Sequence, residues 1–257
     1  MLDAGDFLSR RGILVDSDSD VPVWLEGLVV QRGSAGPTAD GGGIHVAAGT
    51  VTVHKCTIMA NAATGTFGGG GGGVFLEDGA LTISQSTILN NRSARHGGGV
   101  GARNGTLLMR DSAVRDNTST EDGGGVFVNG ATATLERNTI AGNSPMGVLV
   151  VGGTAVLDHN TIEGNESTGN GGGIGVDGLY PTSVTASYNL IQNNSAASGG
   201  GVGVSAGSTT LYGNDISGNS ATSSGGGVAA WANGSQITLV ATRIRQNTGG
   251  GQGGGGL

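Results

Sequence analysis

The feature that most constrains this chain is a step repeated along nearly its whole length. A glycine-rich stretch leads into an apolar residue at Ile44, Val74, Val100, Val126, Val148, Ile174, Val202 and Val228, and one more copy begins at Leu257. Within each unit a second mark follows, an Ile or Val with Asn three residues on. It falls at Ile58/Asn61, Ile88/Asn91, Val114/Asn117, Ile140/Asn143, Ile162/Asn165, Ile191/Asn194, Ile216/Asn219 and Ile244/Asn247, with Val29/Arg32 as a divergent first copy. The mean period is about 27 residues, the spacing of a stacked array in which each unit is one supersecondary module.

Inside a unit the apolar residues alternate. Val74 and Leu76 make one pair, Leu81 and Ile83 the next, and Ile88 stands alone. Alternation with period two means strand with one face inward, and no window carries apolar residues at helical spacing over three turns. Each unit reads as three short strands and three turns. Three short strands cannot bury a core alone, but stacked copies can, each strand pairing with its equivalent about 4.8 Å along the axis. The predicted fold is all-β, a single-stranded parallel β-helix (β-solenoid) of about nine coils and roughly 40 Å length. The general handedness of parallel connections makes it right-handed.

The register follows from the repeat. Ile44-Val74-Val100-Val126-Val148-Ile174-Val202-Val228 forms one inward column and Val51-Leu81-Leu107-Ala133-Ala155-Val184-Thr209-Ile237 a second. The Ile/Val residues ending at Ile244 form the third. Glycine, 55 of 257 residues, is about three times its usual share. It sits where the chain turns into the first strand, a place for positive φ or close backbone approach. The Asn column is suited to an amide ladder along the axis and to the left-handed conformation of a tight turn. A second polar column lies two residues before each Ile or Val: Cys56, Ser86, Ser112, Asn138, Asn160, Asn189, Asn214 and Thr242. Calcium-binding nonapeptide rolls need Asp in each glycine turn, and leucine-rich repeats need a longer Leu pattern; neither is present.

These motifs resemble known proteins. GGG-Val-x-Val followed by Ile-x-x-Asn is similar to the GGA-Ile and Phe-x-x-Asn repeats of polymorphic outer-membrane proteins, with Ile or Val in place of Phe in every copy. More broadly, residues 12–257 resemble the right-handed parallel β-helix repeats of bacterial surface and adhesin-like proteins, which share the pectate-lyase-like fold. The segment GILVDSDSDVPVWLEGLVVQRG resembles their entry coil. The resemblance implies a secreted or cell-surface module with a structural or adhesive role, binding a polysaccharide or surface glycan. Residues 1–11 read as an N-terminal cap segment, a short helix over MLDAGDFLSRR, and residues 12–257 as the repeat domain. The start of a further unit at Leu257 points to more repeats or an end-to-end partner there.

Charge narrows the partners. The net charge is −7 and Lys55 is the only lysine, so no basic stripe exists for nucleic acid. The first fifteen residues lack a signal-peptide pattern, and the longest apolar run, Val148–Leu157, is broken by glycines and too short to span a bilayer. Cys56, the only cysteine, reads as a small buried side chain.

Four patterns are candidates for chemistry. The densest charged cluster lies between the second and third strands of the central units, where Arg110-Asp111, Glu136-Arg137, Asp158-His159 and Ser187-Tyr188 occupy equivalent positions, followed by Tyr212. Carboxylates one coil apart lie near the separation of a retaining glycosidase. In that reading Glu136 and Asp158 are the catalytic pair of a polysaccharide lyase or hydrolase, with Arg110, Arg137, His159, Tyr188 and Tyr212 binding substrate. The plainer alternative is a ladder of cross-strand ion pairs, Arg110 on Glu136 and Asp111 on Arg137. The signatures of known β-helix enzymes, the Asn-x-Asp and Gly-His-Gly sets among them, are missing. No cofactor is required, but Asp16, Asp18 and Asp20 are a candidate Ca²⁺ loop, against an exposed acidic turn. An outward Thr array (Thr50/Thr52, Thr82, Thr106, Thr132/Thr134, Thr154, Ser183/Thr185, Ser208/Thr210, Thr238) resembles the face of ice-binding solenoids, interrupted by Leu108 and Val156. His45, His54, His96 and His159 fall in separate coils and do not suggest a metal site. The loops after each Asn vary in length and are places for recognition.

Overall fold

The structure, a computed structural model, describes residues 2–3, 11–17, 21–36, 39–65, 70–231, 234–251 and 254–256. Its strand pairings are parallel, and each strand pairs with its equivalent in the coils above and below. Three faces result. The first is built from strands such as Val74–Leu76, the second from strands such as Ala80–Ser84, the third from strands such as Thr87–Leu89. In two coils the first and second strands run together as Val148–Asp158 and Ile174–Ser187, which joins those faces into one sheet.

The register is the one the repeat predicts. Ile44, Val74, Val100, Val126, Val148, Ile174, Val202 and Val228 are successive partners. So are the second-face residues from Val51 to Ile237. These columns and the third-face column fill the interior, nearly all of it fully buried. Burial of each Val, Leu or Ile stabilises by about 1.5–3 kcal/mol, so one coil gains only when its neighbours cover it.

Three details differ from the sequence reading. The divergent first copy is Val30/Gly33 rather than Val29/Arg32: Val30 is the partner of Ile58, and Gly33 N–H donates to Asn61 Oδ1 at 2.8 Å. Several coils also have a fourth strand. Ser34–Ala35, Ala62–Ala63, Arg92–Ser93 and Thr118–Ser119, just after the Asn column, stack as a fourth short sheet. Finally, Leu2–Asp3, within the expected capping helix, form a short strand paired with Val30 and Gln31, while residues 4–10 lie outside the described residues.

The polar columns explain the corners. From Asn61 to Asn219 each Asn donates its backbone N–H and its Nδ2 to Oδ1 of the Asn in the next coil, at 2.9–3.0 Å. The same Nδ2 reaches back to a backbone carbonyl of the preceding coil, as Asn117 does to Ile88. The second column works likewise from Cys56 N–H on Ser86 Oγ to Asn189 on Asn214. Cys56 is buried at the start of it. The ladder Asn residues do not themselves take the left-handed conformation. The residue before each one does: Ala60, Asn90, Asp116, Gly142, Gly164, Asn193, Gly218 and Gln246 all have φ between 53° and 65°. The left-handed residue turns the chain, and the Asn side chain then satisfies the backbone groups the turn leaves buried.

Candidate functional site

The corner between the second and third faces assembles the predicted cluster. Arg110, Glu136, Asp158, Ser187 and Tyr212 are direct register partners at the ends of second-face strands. The next residue in each coil is left-handed: Asp111 (φ 50°), Arg137 (52°), His159 (54°), Tyr188 (55°) and Gly213 (63°). The buried polar column follows at once and holds this uncommon conformation. Two outward columns therefore run side by side along the axis.

The side chains in this strip engage one another. Arg137 Nε and Nη2 donate to the two Asp111 oxygens at 2.8 and 3.2 Å, and Arg137 Nη1 lies 3.7 Å from Glu136. His159 Nδ1 is 2.9 Å from Asp158 Oδ2. The His159 ring stacks on Tyr188 at 5.1 Å, and Tyr188 meets Tyr212 edge to face at 5.3 Å. Gly213 leaves room for this, since a Cβ there would lie 2.8 Å from Tyr188 Cε1. The hydrogen bond from Arg137 holds the Asp111 carboxyl below its ordinary range, and the same bond raises Arg137. The adjacent Tyr212 side chain raises the Tyr188 phenol. The strip is open: Tyr188 is 50% and Tyr212 40% exposed. Of the two expected cross-strand ion pairs, Asp111–Arg137 forms as a bidentate pair. Glu136 is the register partner of Arg110 and pairs with Arg137 of its own coil.

The other candidates are less assembled. Asp16 closes the strand Ile13–Asp16, while Asp18 and Asp20 lie outside the described residues. Among the described residues no three His, Cys, Asp or Glu side chains come together as a metal site. The Thr array lies on the second face in the expected register, Thr132 Oγ1 being 3.5 Å from Thr154 Oγ1. Among the described residues no helix is long and apolar enough to cross a membrane.

The outer side of the first face carries residues that the repeat pattern does not single out. His45, Phe75, Phe127 and Leu149 point outward by register yet are buried. His45 lies against Phe75 at 5.5 Å and hydrogen-bonds Glu77 at 3.1 Å; Arg103 pairs with the same Glu77. His96 stacks on Phe127 at 4.5 Å and reaches Glu121 at 3.0 Å. A signal is present in the chain: VFL, VFV and VLV are apolar at every position, the mark of a strand covered on both sides.

Each histidine has a carboxylate partner, which favours the charged form, yet both are held below their ordinary value of 6.5. Burial is the leading cause in both, aided by Arg11 at His45 and by Arg95 at His96, against Glu77 and Asp40 in one case and Glu121 and Asp122 in the other. Geometry agrees with the neutral form, because Nδ1 of each ring is buried without a partner among the described residues. An unpartnered lone pair costs less than the unpartnered charged N–H that protonation would create. The unfolded chain therefore takes up protons first. Stability is full above about pH 6.5 and is lost as pH falls below it. Asp122 acts with the opposite sign, since burial raises its carboxyl. Urea midpoints between about pH 7.5 and 5 should fall for the wild type, and His45→Gln and His96→Gln should each flatten the slope; an unchanged slope in both would refute this account.

The fold matches a known family. The family model for the right handed beta helix region matches residues 9–160 and 72–248. The chain belongs to the right-handed β-helix family. No curated protein and no solved structure matched it. In this β-helix the outer surfaces are the variable part, since the repeat residues are spent on the interior and the corners. The corner strip and the outer first face are the surfaces that differ from coil to coil.

Proposed function

We propose that this β-helix is a glycan-binding module of a secreted or cell-surface protein, with the corner strip from Arg110 to Tyr212 as its binding surface. The observation that carries this is the exposed row His159–Tyr188–Tyr212 beside Arg137 and Asp158, fixed on a rigid axis. Aromatic faces cover the apolar face of a sugar ring, and adjacent ionised groups hydrogen-bond its hydroxyls. An open strip several coils long suits a polymer better than a small enclosed ligand. The resemblance of the repeats to bacterial surface proteins supports the location.

The test is affinity electrophoresis in acidic and neutral polysaccharides, with wild type beside Tyr188→Ala/Tyr212→Ala. The double variant is expected to lose retardation by at least roughly tenfold in affinity, with an unchanged circular dichroism spectrum. Equal retardation of both proteins would remove the strip as the binding surface. Reducing-end release abolished by Glu136→Gln and by Asp158→Asn would instead make the strip catalytic.

A further inference from the structure

A recess of about 180 Å³ lies on the outer first face, away from the corner strip. Its origin is legible in the chain. The outward column there runs Phe127, Leu149, Gly175, Gly203, so two successive coils place no side chain on the surface. The covering loop is also short in the Leu149 coil, only Ser144, Pro145 and Met146 separating Asn143 from Gly147. The longer loops on either side leave a gap over a glycine floor. Both glycines are needed for its shape: a Cβ at Gly175 would lie 2.9 Å from Met146 Sδ, and one at Gly203 would lie 3.0 Å from Trp231 Cη2.

The walls are chemically one-sided. Met146 lies beside Gly175 and Trp231 beside Gly203, and Leu149, Asp177 and Asp122 complete the lining with them. Among the described residues no Lys, Arg or His lines the recess. Asp177 is held in place, accepting from Ser205 Oγ and from Gly178 N–H, both at 2.8 Å. Asp122 receives no side-chain hydrogen bond from any described residue, although it is half-buried. A partly desolvated carboxylate without a donor, beside a second carboxylate, is a site suited to a cation.

We propose that this recess binds a small organic ammonium ion, its charge between Asp122 and Asp177 and its carbon frame against Trp231, Met146 and Leu149. The aromatic face adds cation–π attraction, and the thioether and Leu cover the apolar part. A hard metal ion would gain nothing from these three side chains and prefers a cage of several oxygens. The recess is smaller than a pocket for a drug-sized ligand, so it takes a single alkylammonium or one amino-sugar unit. The shared chemistry is a protonated amine on an apolar frame.

Fluorescence titration of the full chain tests this. The chain has two tryptophans, so the Trp24→Phe background reports Trp231 alone. Butylammonium, tetramethylammonium and glucosamine are the cationic probes; butanol, glucose and CaCl₂ are the comparisons. Saturable change with at least one organic cation, and none with butanol or glucose, is expected. Glucosamine binding without alkylammonium binding would identify an amino sugar as the source, and the reverse a free amine. Asp122→Asn and Asp177→Asn, which keep the side-chain shape, should each weaken binding roughly tenfold. Tighter binding of calcium, equal binding of the neutral partners, or no saturable change with any cation would overturn the proposal. Asp122→Asn should leave polysaccharide retardation at the corner strip unchanged, so the two readings fail separately.

Discussion

Gly98→Ala is expected to destabilise the protein by about 3 kcal/mol or more, while Gly164→Ala costs about 1–2 kcal/mol. The two positions separate the two reasons a chain needs glycine. Gly98 is the middle residue of the GGG step, and a Cβ there would lie 2.4 Å from Thr118 O, 2.6 Å from Thr118 C and 2.6 Å from Gly124 O. All three atoms are backbone, fixed by interstrand hydrogen bonds such as Gly98 N–H to Gly123 O and Thr118 N–H to Asn91 O. No rotamer change relieves the clash, so a coil must shift against its neighbours. Gly164 has φ +60°, and a methyl group added to it would meet nothing within 4 Å, so Ala there carries only the left-handed penalty. Ala60 already takes that conformation at the equivalent corner, which shows the penalty is bearable. Urea denaturation of the two variants decides the matter. Equal losses would mean that the glycine steps serve backbone conformation and not the close stacking of coils.

That contrast also explains how much of the molecule is legible in the chain. Steric and hydrogen-bonding demands that recur in every coil leave the same kind of residue in the same place eight times over. The inward columns and the register from Ile44 to Val228 are therefore plain. So is the corner strip, because counting back four residues from Val114, Ile140, Ile162, Ile191 and Ile216 gives Arg110, Glu136, Asp158, Ser187 and Tyr212 without any knowledge of loops. The pattern misleads where the demand is local. It places the first copy one residue early because Val29 and Val30 fit equally well and Gly33 stands where the Asn would mark the register. It suggests left-handed ladder Asn residues, yet the turn falls on the position before them, which accepts Ala, Asn, Asp, Gln or Gly and so leaves no consistent letter. The recess beside Trp231 is not legible at all, because it depends on how a three-residue loop and two outward glycines coincide across several coils.

Asn143→Ala is expected to cost about 3–5 kcal/mol, near the upper end for a single substitution. Asn143 is fully buried. Its Oδ1 accepts both the N–H and the Nδ2 of Asn117, each at 3.0 Å, and its Nδ2 donates to Asn165 Oδ1 and to Val114 O, also at 3.0 Å. Removing the side chain strands donors on one side and acceptors on the other, and each unsatisfied buried group costs about 1–3 kcal/mol. Asn143→Asp should be no better, because a carboxylate keeps the acceptor for Asn117 but faces Asn165 Oδ1 with no donor unless it is protonated. Asn104→Ala, on an exposed bend, should change stability by less than about 0.5 kcal/mol. In a stacked array each coil contacts only its neighbours, so the loss should be local at first. Hydrogen exchange should rise in the coils of Asn117, Asn143 and Asn165 before the ends respond. Uniform acceleration along the whole chain would mean that the ladder acts as one cooperative unit, and that nearest-neighbour stacking does not describe how this β-helix holds together.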